Sequence, residues 1–277
     1  MSNKYRESKF KRNNDKVRPK KFLGQHFLKN DTISKKIADA LDYQSVECII
    51  EIGPGTGVLT QHLIGRTSKL IAFEVDTESI DFLIDQYKNP VTGELNFQLV
   101  KQDFLKADLL KFTENKNFAI IGNFPYNISS QILFKALEYK TYVPQFAGMF
   151  QKEVAKRICE SPGSKAYGIL SVLSQAFYEV EYLFTVSPAN FNPPPKVDSG
   201  VIKLTRRENF TLDCDEKLFF KVVKTAFQQR RKTLRNSLKT FNLSDNLKSD
   251  LIFAKRPEQL SYIDFIGLTQ KLAQDAV

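Results

Sequence analysis

One short segment limits the fold of this chain more than any other. The mostly apolar segment from Cys48 to Ile52, with Glu51 as its one charged residue, passes directly into a glycine-rich turn, 53–57 (GPGTG), and apolar residues at helical spacing follow it. Strand, glycine turn and helix in this order form the first unit of a parallel α/β sheet. Later apolar runs extend the pattern to seven predicted strands, so we expect an α/β fold built on one sheet.

The glycine turn also indicates a ligand. Glycines allow a ligand to approach the main chain closely, which makes Gly53 and Gly55 candidate contacts. The spacing is Gly-x-Gly-x-Gly, with Val58 where the pyrophosphate-binding fingerprint has its last glycine. A nucleoside-bearing ligand other than a dinucleotide is therefore favoured, and a purely structural turn is the alternative.

Acidic residues stand at the carboxyl ends of the next two predicted strands. Glu74 ends the second strand, where a carboxylate can accept hydrogen bonds from both hydroxyls of a ribose. We expect Asp76 to cap the following helix. Asp103 follows the third strand and is suited to accept a hydrogen bond from the exocyclic amino group of an adenine. Helix capping is the alternative for Glu74, and a solvated turn is the alternative for Asp103.

The fourth predicted strand, 118–122, opens onto Asn123-Phe124-Pro125-Tyr126. Ligands of open α/β sheets bind beyond the carboxyl ends of the strands. If the ligand is S-adenosylmethionine and the acceptor is an adenine N6, the Asn123 side-chain carbonyl and the Phe124 main-chain carbonyl could accept the two amino hydrogens. Pro125 would hold Phe124 extended, and the base would stack on Tyr126. An Asn-Pro turn beside a core tyrosine is the alternative.

A proline-rich loop lies between the sixth and seventh predicted strands. Three consecutive prolines, 193–195, make the loop stiff. A stiff loop can hold Phe191 in a fixed place, where its ring would close the other face of the adenine on Tyr126. A spacer between strands is the alternative.

The charge balance indicates a polyanionic partner. The chain has 41 Lys and Arg against 31 Asp and Glu, a net charge of +10, which favours nucleic acid. Nine of these cations lie in residues 1–21, a segment with almost nothing apolar to bury, so we expect a basic, disordered N-terminal arm.

The sequence pattern changes near residue 207, from alternating predicted strands and helices to short amphipathic helical segments. We expect one domain over 22–207 and a second, built of short amphipathic helices, over 208–277. Four cations within six residues of the second part predict contact with RNA phosphates, with a solvated helical face as the alternative. They are Arg230, Arg231, Lys232 and Arg235.

Other protein classes are disfavoured. The three cysteines are far apart, which suggests a reducing compartment without a disulfide framework. Two histidines cannot form a zinc cluster, and we expect no metal. No apolar run is long enough to span a bilayer and no signal peptide is evident, so a cytoplasmic protein is expected.

Five segments together resemble the KsgA/RsmA family of ribosomal RNA adenine dimethyltransferases. The resemblance covers roughly residues 20–277, and the Pro-rich segment and the last one are its most specific parts. The segments are 22–28 (FLGQHFL), 51–57 (EIGPGTG), 123–126 (NFPY), 191–199 (FNPPPKVDS) and 227–236 (FQQRRKTLRN).

The resemblance implies a Rossmann-like S-adenosylmethionine-dependent methyltransferase domain, with a mostly parallel seven-stranded sheet, and a small all-helical C-terminal domain. It implies dimethylation of two adjacent adenosines in the loop of a hairpin near the 3′ end of small-subunit (16S) rRNA. The modification would occur during small-subunit biogenesis, release S-adenosylhomocysteine and need no metal. The expected partner is the immature small ribosomal subunit, and a monomer is expected in solution.

The resemblance also assigns site residues. The family often has Asn where His26 stands, and a main-chain contact there would survive this change. Lys196, in the Pro-rich segment, joins the expected RNA contacts. Base stacking falls on Tyr126 and Phe191, and the amino group of the target on Asn123 and Phe124. Cofactor contacts fall on His26, Leu28, Gly53, Glu74, Asp103 and Asn123.

Two other functions remain as alternatives. One is a related methyltransferase that acts on large-subunit rRNA and confers macrolide resistance, which the segments 193–199 and 228–236 disfavour. The other is a non-catalytic RNA-binding assembly factor on the same fold. The intact Asn123-Phe124-Pro125-Tyr126 disfavours it, because binding alone does not need an amide at that position.

Overall fold

The structure is a computed structural model that describes residues 17–275. The chain divides into two compact units, one ending at 152 and including 183–203, the other made of 153–182 and 204–277. The boundary expected near 207/208 differs from this division, because it assigns 153–182 to the first domain. The physical reason is packing within the second unit: Tyr167 lies against Phe227, with ring centroids 6.4 Å apart, and Phe177 stacks on Phe220 at 6.0 Å.

Nine strands are present among residues 17–275. They are β1 (Phe27–Leu28), β2 (Cys48–Ile52), β3 (Lys69–Glu74), β4 (Gln98–Lys101), β5 (Phe118–Asn123), β6 (Gln145–Gln151), β7 (Tyr178–Val186), β8 (Phe191–Asn192) and β9 (Ser199–Arg206). Seven of them form one sheet in the order β4-β3-β2-β5-β6-β9-β7. The pairs from β4 through to β6 are parallel, which confirms the predicted mostly parallel seven-stranded sheet.

Helices connect the strands and make up the C-terminal part. They are α1 (Asp31–Ala38), α2 (Thr60–Leu63), α3 (Thr77–Tyr87), α4 (Leu109–Thr113), α5 (Ser129–Glu138), α6 (Lys152–Cys159), α7 (Ile169–Phe177), α8 (Glu216–Gln228), α9 (Leu234–Ser237), α10 (Asp245–Ser249) and α11 (Tyr262–Asp275). Between 208 and 275 the regular elements are all helical, as predicted. None of the helices described in 17–275 is long and apolar enough to cross a membrane.

The centre of the sheet determines where a ligand can bind. Every residue of β2 is buried, as is typical of a parallel strand with both of its faces covered. From β2 the chain builds outwards through β3 and β4 on one side, and then through β5 and β6 on the other. The order therefore reverses between β2 and β5, and a crevice opens beyond their carboxyl ends.

A second, two-stranded sheet was not evident in the sequence. β1 pairs antiparallel with β8, Phe27 opposite Asn192 and Leu28 opposite Phe191. The main-chain N–H of Lys29 donates to the carbonyl of Asn190 at 2.8 Å and extends the ladder. This sheet fastens the segment before α1 to the proline-rich loop. Strands of two residues carry no period that a sequence pattern could reveal.

The predicted N-terminal arm is too long at its carboxyl end. Val17 is buried, with 4% of its surface exposed, and the ammonium of Lys20 forms an ion pair with Asp76. Residues 17–21 are therefore packed against the first unit, because one apolar side chain and one paired cation anchor them. Residues 1–16 of the expected arm lie outside the described part of the chain.

Candidate active site

A cavity of about 340 Å³ lies at the carboxyl ends of β2, β3 and β5. Its volume suits a small organic ligand or cofactor. Most of the residues predicted from strand ends and from the glycine turn meet on its walls. They are His26, Gly53, Gly55, Glu74, Asp103, Asn123, Phe124, Pro125 and Tyr126.

The glycine turn needs its glycines. Gly53 and Gly55 have φ of 65° and 56°, a left-handed conformation that other residues rarely adopt. A Cβ on Gly55 would lie 2.8 Å from the ring of Phe27, and a Cβ on Gly53 would approach Pro125 at 3.9 Å. The turn thus brings bare main chain to the cavity wall, next to the proline of the tetrapeptide.

Glu74 joins the glycine turn to the end of β3. One carboxylate oxygen accepts a hydrogen bond from the Gly55 N–H at 3.1 Å; the other accepts from the N–H groups of Val75 and Asp76, at 2.8 and 3.0 Å. Burial raises the pKa of Glu74, and these hydrogen bonds partly offset that rise by favouring the charged form. The carboxylate is therefore held rigidly at the cavity wall.

Asp76 caps α3, as predicted, since its side chain accepts from the Glu78 N–H. It also accepts hydrogen bonds from the side chains of Lys20, Gln25 and Ser79. Burial by itself would raise the pKa of Asp76, but these bonds outweigh it and the pKa lies below its ordinary value. Asp76 thereby joins residues 20–25, part of which line the cavity, to the carboxyl end of β3.

Asp103 lies on the cavity wall at the end of β4. It starts a short 3₁₀ turn, Phe104–Lys106, and its side chain accepts a hydrogen bond from the Leu105 N–H at 2.9 Å. Asp103 therefore does belong to a turn, as its alternative role in the sequence analysis assumed. The expected contact with an adenine amino group stays a prediction.

Asn123 ends β5 with its amide orientation set by a neighbour. Its Nδ2 donates to the main-chain carbonyl of His26 at 2.9 Å. With Nδ2 engaged, Oδ1 is the amide atom that can accept a hydrogen bond from a ligand. This is the orientation that the predicted contact with an amino group requires.

Phe124 points its ring away from any ligand. The ring is 1% exposed and packs on Phe146 and Phe150, with centroids 5.1 and 5.3 Å apart. A Cβ on Gly122 would lie 2.8 Å from this ring, and a Cβ on Gly148 would lie closer still. The two glycines form a cradle that fixes Phe124 from below, so only its main chain can reach the cavity. Glycines inside two apolar strands were the signal of this close approach that sequence reasoning missed.

Tyr126 has one edge fixed and one face covered. Its hydroxyl shares a hydrogen bond of 2.6 Å with Ser199, and burial raises its pKa, so the phenol is neutral at physiological pH. The His26 ring lies over it at 5.5 Å between centroids and 29° between planes. Nδ1 of His26 donates to the Pro193 carbonyl at 2.8 Å. The stacked partner of Tyr126 in this structure is therefore His26.

Phe191 is not brought to the cavity. Its ring is fully buried in the hydrophobic core of the first unit, because the pairing of β8 with β1 turns this side chain inwards beside Leu28. A ring with no exposed face cannot stack on a base. Its expected role requires the 187–199 loop to move and stays a prediction.

Leu28 and Glu51 lie at a smaller cavity of about 30 Å³ that also borders Gly53 and Asn123. The expected cofactor residue Leu28 is thus next to the main cavity and not on its wall. Glu51 was given no role of its own by sequence reasoning. Burial raises its pKa to about 8, and one of its carboxyl oxygens has no hydrogen-bond partner among the described residues.

The residues expected to bind RNA fall into two groups. Lys196, Arg231 and Lys232 are exposed, and so is Arg235. The guanidinium groups of Arg230 and Arg235, however, donate to main-chain carbonyls: Arg230 to those of residues 164 and 165, and Arg235 to that of Lys248 at 2.8 Å. Those two guanidinium groups therefore brace the second unit, and contact with phosphate stays a prediction for all five. Within 17–275, no group of three His, Cys, Asp or Glu side chains is arranged to hold a metal ion.

Comparison with known proteins identifies close relatives. Residues 16–258 match the family described as ribosomal RNA adenine dimethylase. A protein of Flavobacterium johnsoniae named ribosomal RNA small subunit methyltransferase A is 60% identical, over 95% of this chain and 99% of its own length. A protein of the same name from Bacteroides thetaiotaomicron is 53% identical, over 93% and 95% respectively.

A solved structure agrees with these relatives. The crystal structure of a dimethyladenosine transferase from Plasmodium falciparum superimposes with a TM-score of 0.77 at 27% identity, and the match covers 91% of this chain and 99% of that one. The similarity thus extends over both compact units of the chain.

Proposed function

This chain belongs to the ribosomal RNA adenine dimethylase family, and we propose that Asn123-Phe124-Pro125-Tyr126 is the site at which it methylates adenine N6. It is a small-subunit rRNA adenine dimethyltransferase, since its relatives at 53% and 60% identity are named ribosomal RNA small subunit methyltransferase A and its family is described as ribosomal RNA adenine dimethylase. The finer substrate we propose is two adjacent adenosines in a hairpin loop near the 3′ end of 16S rRNA. The observation that carries the proposal is the orientation of the Asn123 amide by His26.

The methyl donor we propose is S-adenosylmethionine, which supplies an electrophilic methyl group when it is bound. The cavity walls fit a nucleoside with a charged tail. Bare main chain at Gly53 and Gly55 allows close approach, since side chains there would fill the space. We assign the ribose hydroxyls to the Glu74 carboxylate and the adenine amino group to Asp103.

The chemistry left to the protein is to prepare a weak nucleophile. The lone pair of an adenine N6 is delocalised into the ring. When Oδ1 of Asn123 and the main-chain carbonyl of Phe124 accept the two amino hydrogens, the amino group is held so that its lone pair leaves conjugation and faces the methyl group. Positioning of this kind can supply much of the rate of an in-line displacement. The cradle of Gly122 and Gly148 fixes the second of these carbonyls.

Tyr126 supplies the stacking face for the target base, and the His26 ring must leave that face or move apart from it. The present spacing of 5.5 Å is too small for an inserted base, because each stacked pair needs about 3.5 Å. Tyr126 does not act as a base, since burial raises its pKa. The proton of the product amine can pass to solvent.

We further propose that the protein is cytoplasmic, monomeric and acts on the immature small subunit. The net charge of +10 supports an RNA partner. The exposed cations Lys196, Arg231 and Lys232 are the first candidates for phosphate contact.

The test is to incubate the protein with methyl-labelled S-adenosylmethionine and small subunits that lack the modification, and then to map the label. We expect label in two adjacent dimethyladenosines near the 3′ end of 16S rRNA. Large subunits serve as the matched control substrate. Label found in the large subunit alone, or label in neither, would overturn the proposal in favour of a resistance methyltransferase or a binding factor.

A further inference from the structure

A buried lysine lies behind the cavity on the helix that follows the tetrapeptide. Lys135 of α5 is 8% exposed. Its ammonium donates to the main-chain carbonyl of Leu105 at 2.8 Å and to that of Ala107 at 2.5 Å. Both carbonyls belong to the short turn that begins at Asp103, beyond the carboxyl end of β4.

The groups around the Lys135 ammonium stabilise a positive charge. The ammonium also lies 5.5 Å from the centroid of the Phe104 ring and 5.8 Å from that of Tyr139. Burial lowers the pKa of Lys135, and nearby carboxylates, Asp103 among them, oppose this shift. A buried charge is costly unless it is well bonded, so two carbonyls and two ring faces indicate a function for this residue.

One residue connects this lysine to the cavity. The main-chain N–H of Leu105 donates to the carboxylate of Asp103 at 2.9 Å, while its carbonyl accepts from Lys135 at 2.8 Å. The position of the Leu105 main chain, and with it the direction of the Asp103 carboxylate, therefore depends on the ammonium. Phe104, between them, packs edge-on against Phe73 of the cavity wall with centroids 5.8 Å apart.

We propose that Lys135 is a positioning residue for cofactor recognition: by holding the turn at Leu105 and Ala107, it aims the Asp103 carboxylate at the exocyclic amino group of the cofactor's adenine. This inference rests on the proposed function, which assigns the adenine to Asp103. Its consequence is selective. Without the ammonium, the turn keeps its own main-chain bonds but loses its two bonds to α5, and the contact to the amino group suffers while the glycine turn and Glu74 stay in place.

The test compares two ligands that differ at that amino group. S-adenosylhomocysteine carries it, and S-inosylhomocysteine has a carbonyl oxygen there. We expect the wild-type protein to prefer the first in calorimetric titrations. Lys135→Met keeps the aliphatic stem and should weaken S-adenosylhomocysteine about tenfold, the size of a lost charged hydrogen bond. It should change S-inosylhomocysteine less than about twofold on the same scale.

Two further variants complete the design. Lys106→Met removes an exposed lysine from the same turn and should leave both affinities unchanged. Lys135→Gln keeps an N–H donor at a buried position, and we expect it to fold and to show the same selective loss, because the shorter amide cannot reach both carbonyls.

The outcomes separate the inference from the proposed function. Equal weakening of both ligands in either Lys135 variant, or no weakening, would overturn the positioning role while wild-type binding of S-adenosylhomocysteine still supports the cofactor. A wild-type protein that binds neither ligand would overturn both. The double variant Lys135→Met with Asp103→Asn should lose no more affinity than Asp103→Asn alone, since the two act through one contact.

Discussion

Substitution of Gly148 by Ala should slow methyl transfer about 100-fold although residue 148 is not expected to contact a ligand. Gly148 lies opposite Gly122 in the register of β5 and β6. A methyl group on Gly148 would lie 2.6 Å from the Gly122 carbonyl oxygen and 2.6 Å from Cζ of the Phe124 ring, with Cε2 closer still. The ring cannot turn away, because Phe146 and Phe150 close its other sides.

The cost follows from this geometry. Overfilling a packed core costs about 1–3 kcal/mol of unfolding free energy, and one of the clashing atoms is main chain, which cannot be relieved by a rotamer change. The strain should instead shift Phe124 and its carbonyl. A displacement near 1 Å at a reacting centre can lower the rate about 100-fold.

The assay is the single-turnover rate of methyl transfer to unmodified small subunits, with thermal unfolding measured in parallel. Gly267→Ala is the matched control, since among residues 17–275 no atom beyond its chain neighbours and its own helix backbone lies within 4 Å of the added methyl group, and helix α11 should gain up to about 1 kcal/mol from alanine. A Gly148→Ala variant that transfers methyl groups at the wild-type rate would refute the role of the cradle.

Three other predictions concern stacking, pH and the N-terminus. Tyr126→Ala should raise KM for the RNA by one to two orders of magnitude, as about 1–3 kcal/mol of stacking is lost, whereas Tyr126→Phe keeps the ring and should change it little; equal KM values in steady-state assays would exclude stacking. The pKa of Glu51 rises from 4.5 to about 8 on folding, so the folded chain holds more protons between these values and stability falls as pH rises through them, by up to about 5 kcal/mol. Denaturant unfolding at pH 5 and pH 8 should show a smaller difference for Glu51→Gln, and an unchanged difference would mean that Glu51 titrates normally. Deletion of residues 1–16 should weaken RNA binding and flatten its dependence on salt concentration; an identical salt slope would show that this segment does not contact phosphate.

Much of the fold could be predicted because local sequence patterns, such as buried strands followed by turn residues, indicate it directly. β2 is buried throughout, apolar at every residue but Glu51, and meets a glycine turn, and this pair predicted a parallel sheet that the structure confirms. Acids at strand ends predicted the cap at Asp76, and placed Glu74 and Asp103 on one cavity wall. These features are local, so a sequence shows them directly.

Features that depend on distant residues were missed. The division into compact units differs from the boundary expected near 207 because α7 packs on α8, and helical amphipathicity does not say which partner a helix finds. The inward turn of Phe191 follows from its pairing with Leu28, 163 positions earlier in the chain. The sequence likewise contains no sign that the Arg230 guanidinium would bond to main-chain carbonyls of its own unit.

The stacking of His26 on Tyr126 shows how a single position can take two interpretations. The sequence placed His26 at the cofactor through its resemblance, and the structure does bring it to the cavity wall. Its ring, however, stacks on Tyr126, the residue that we propose stacks on the base, and its main-chain carbonyl orients Asn123. Both contacts join residues about 100 positions apart, beyond the range of any local pattern.

If the Asn123 amide prepares the adenine amino group for transfer, its removal should slow the chemical step without weakening RNA binding. Single-turnover kinetics of Asn123→Ala with saturating S-adenosylmethionine and small subunits measure that step, and the Kd of the variant for the same RNA measures binding. We expect a rate lower by about 100-fold or more, with the Kd for RNA unchanged. A rate within a few-fold of the wild type would contradict this role of the amide.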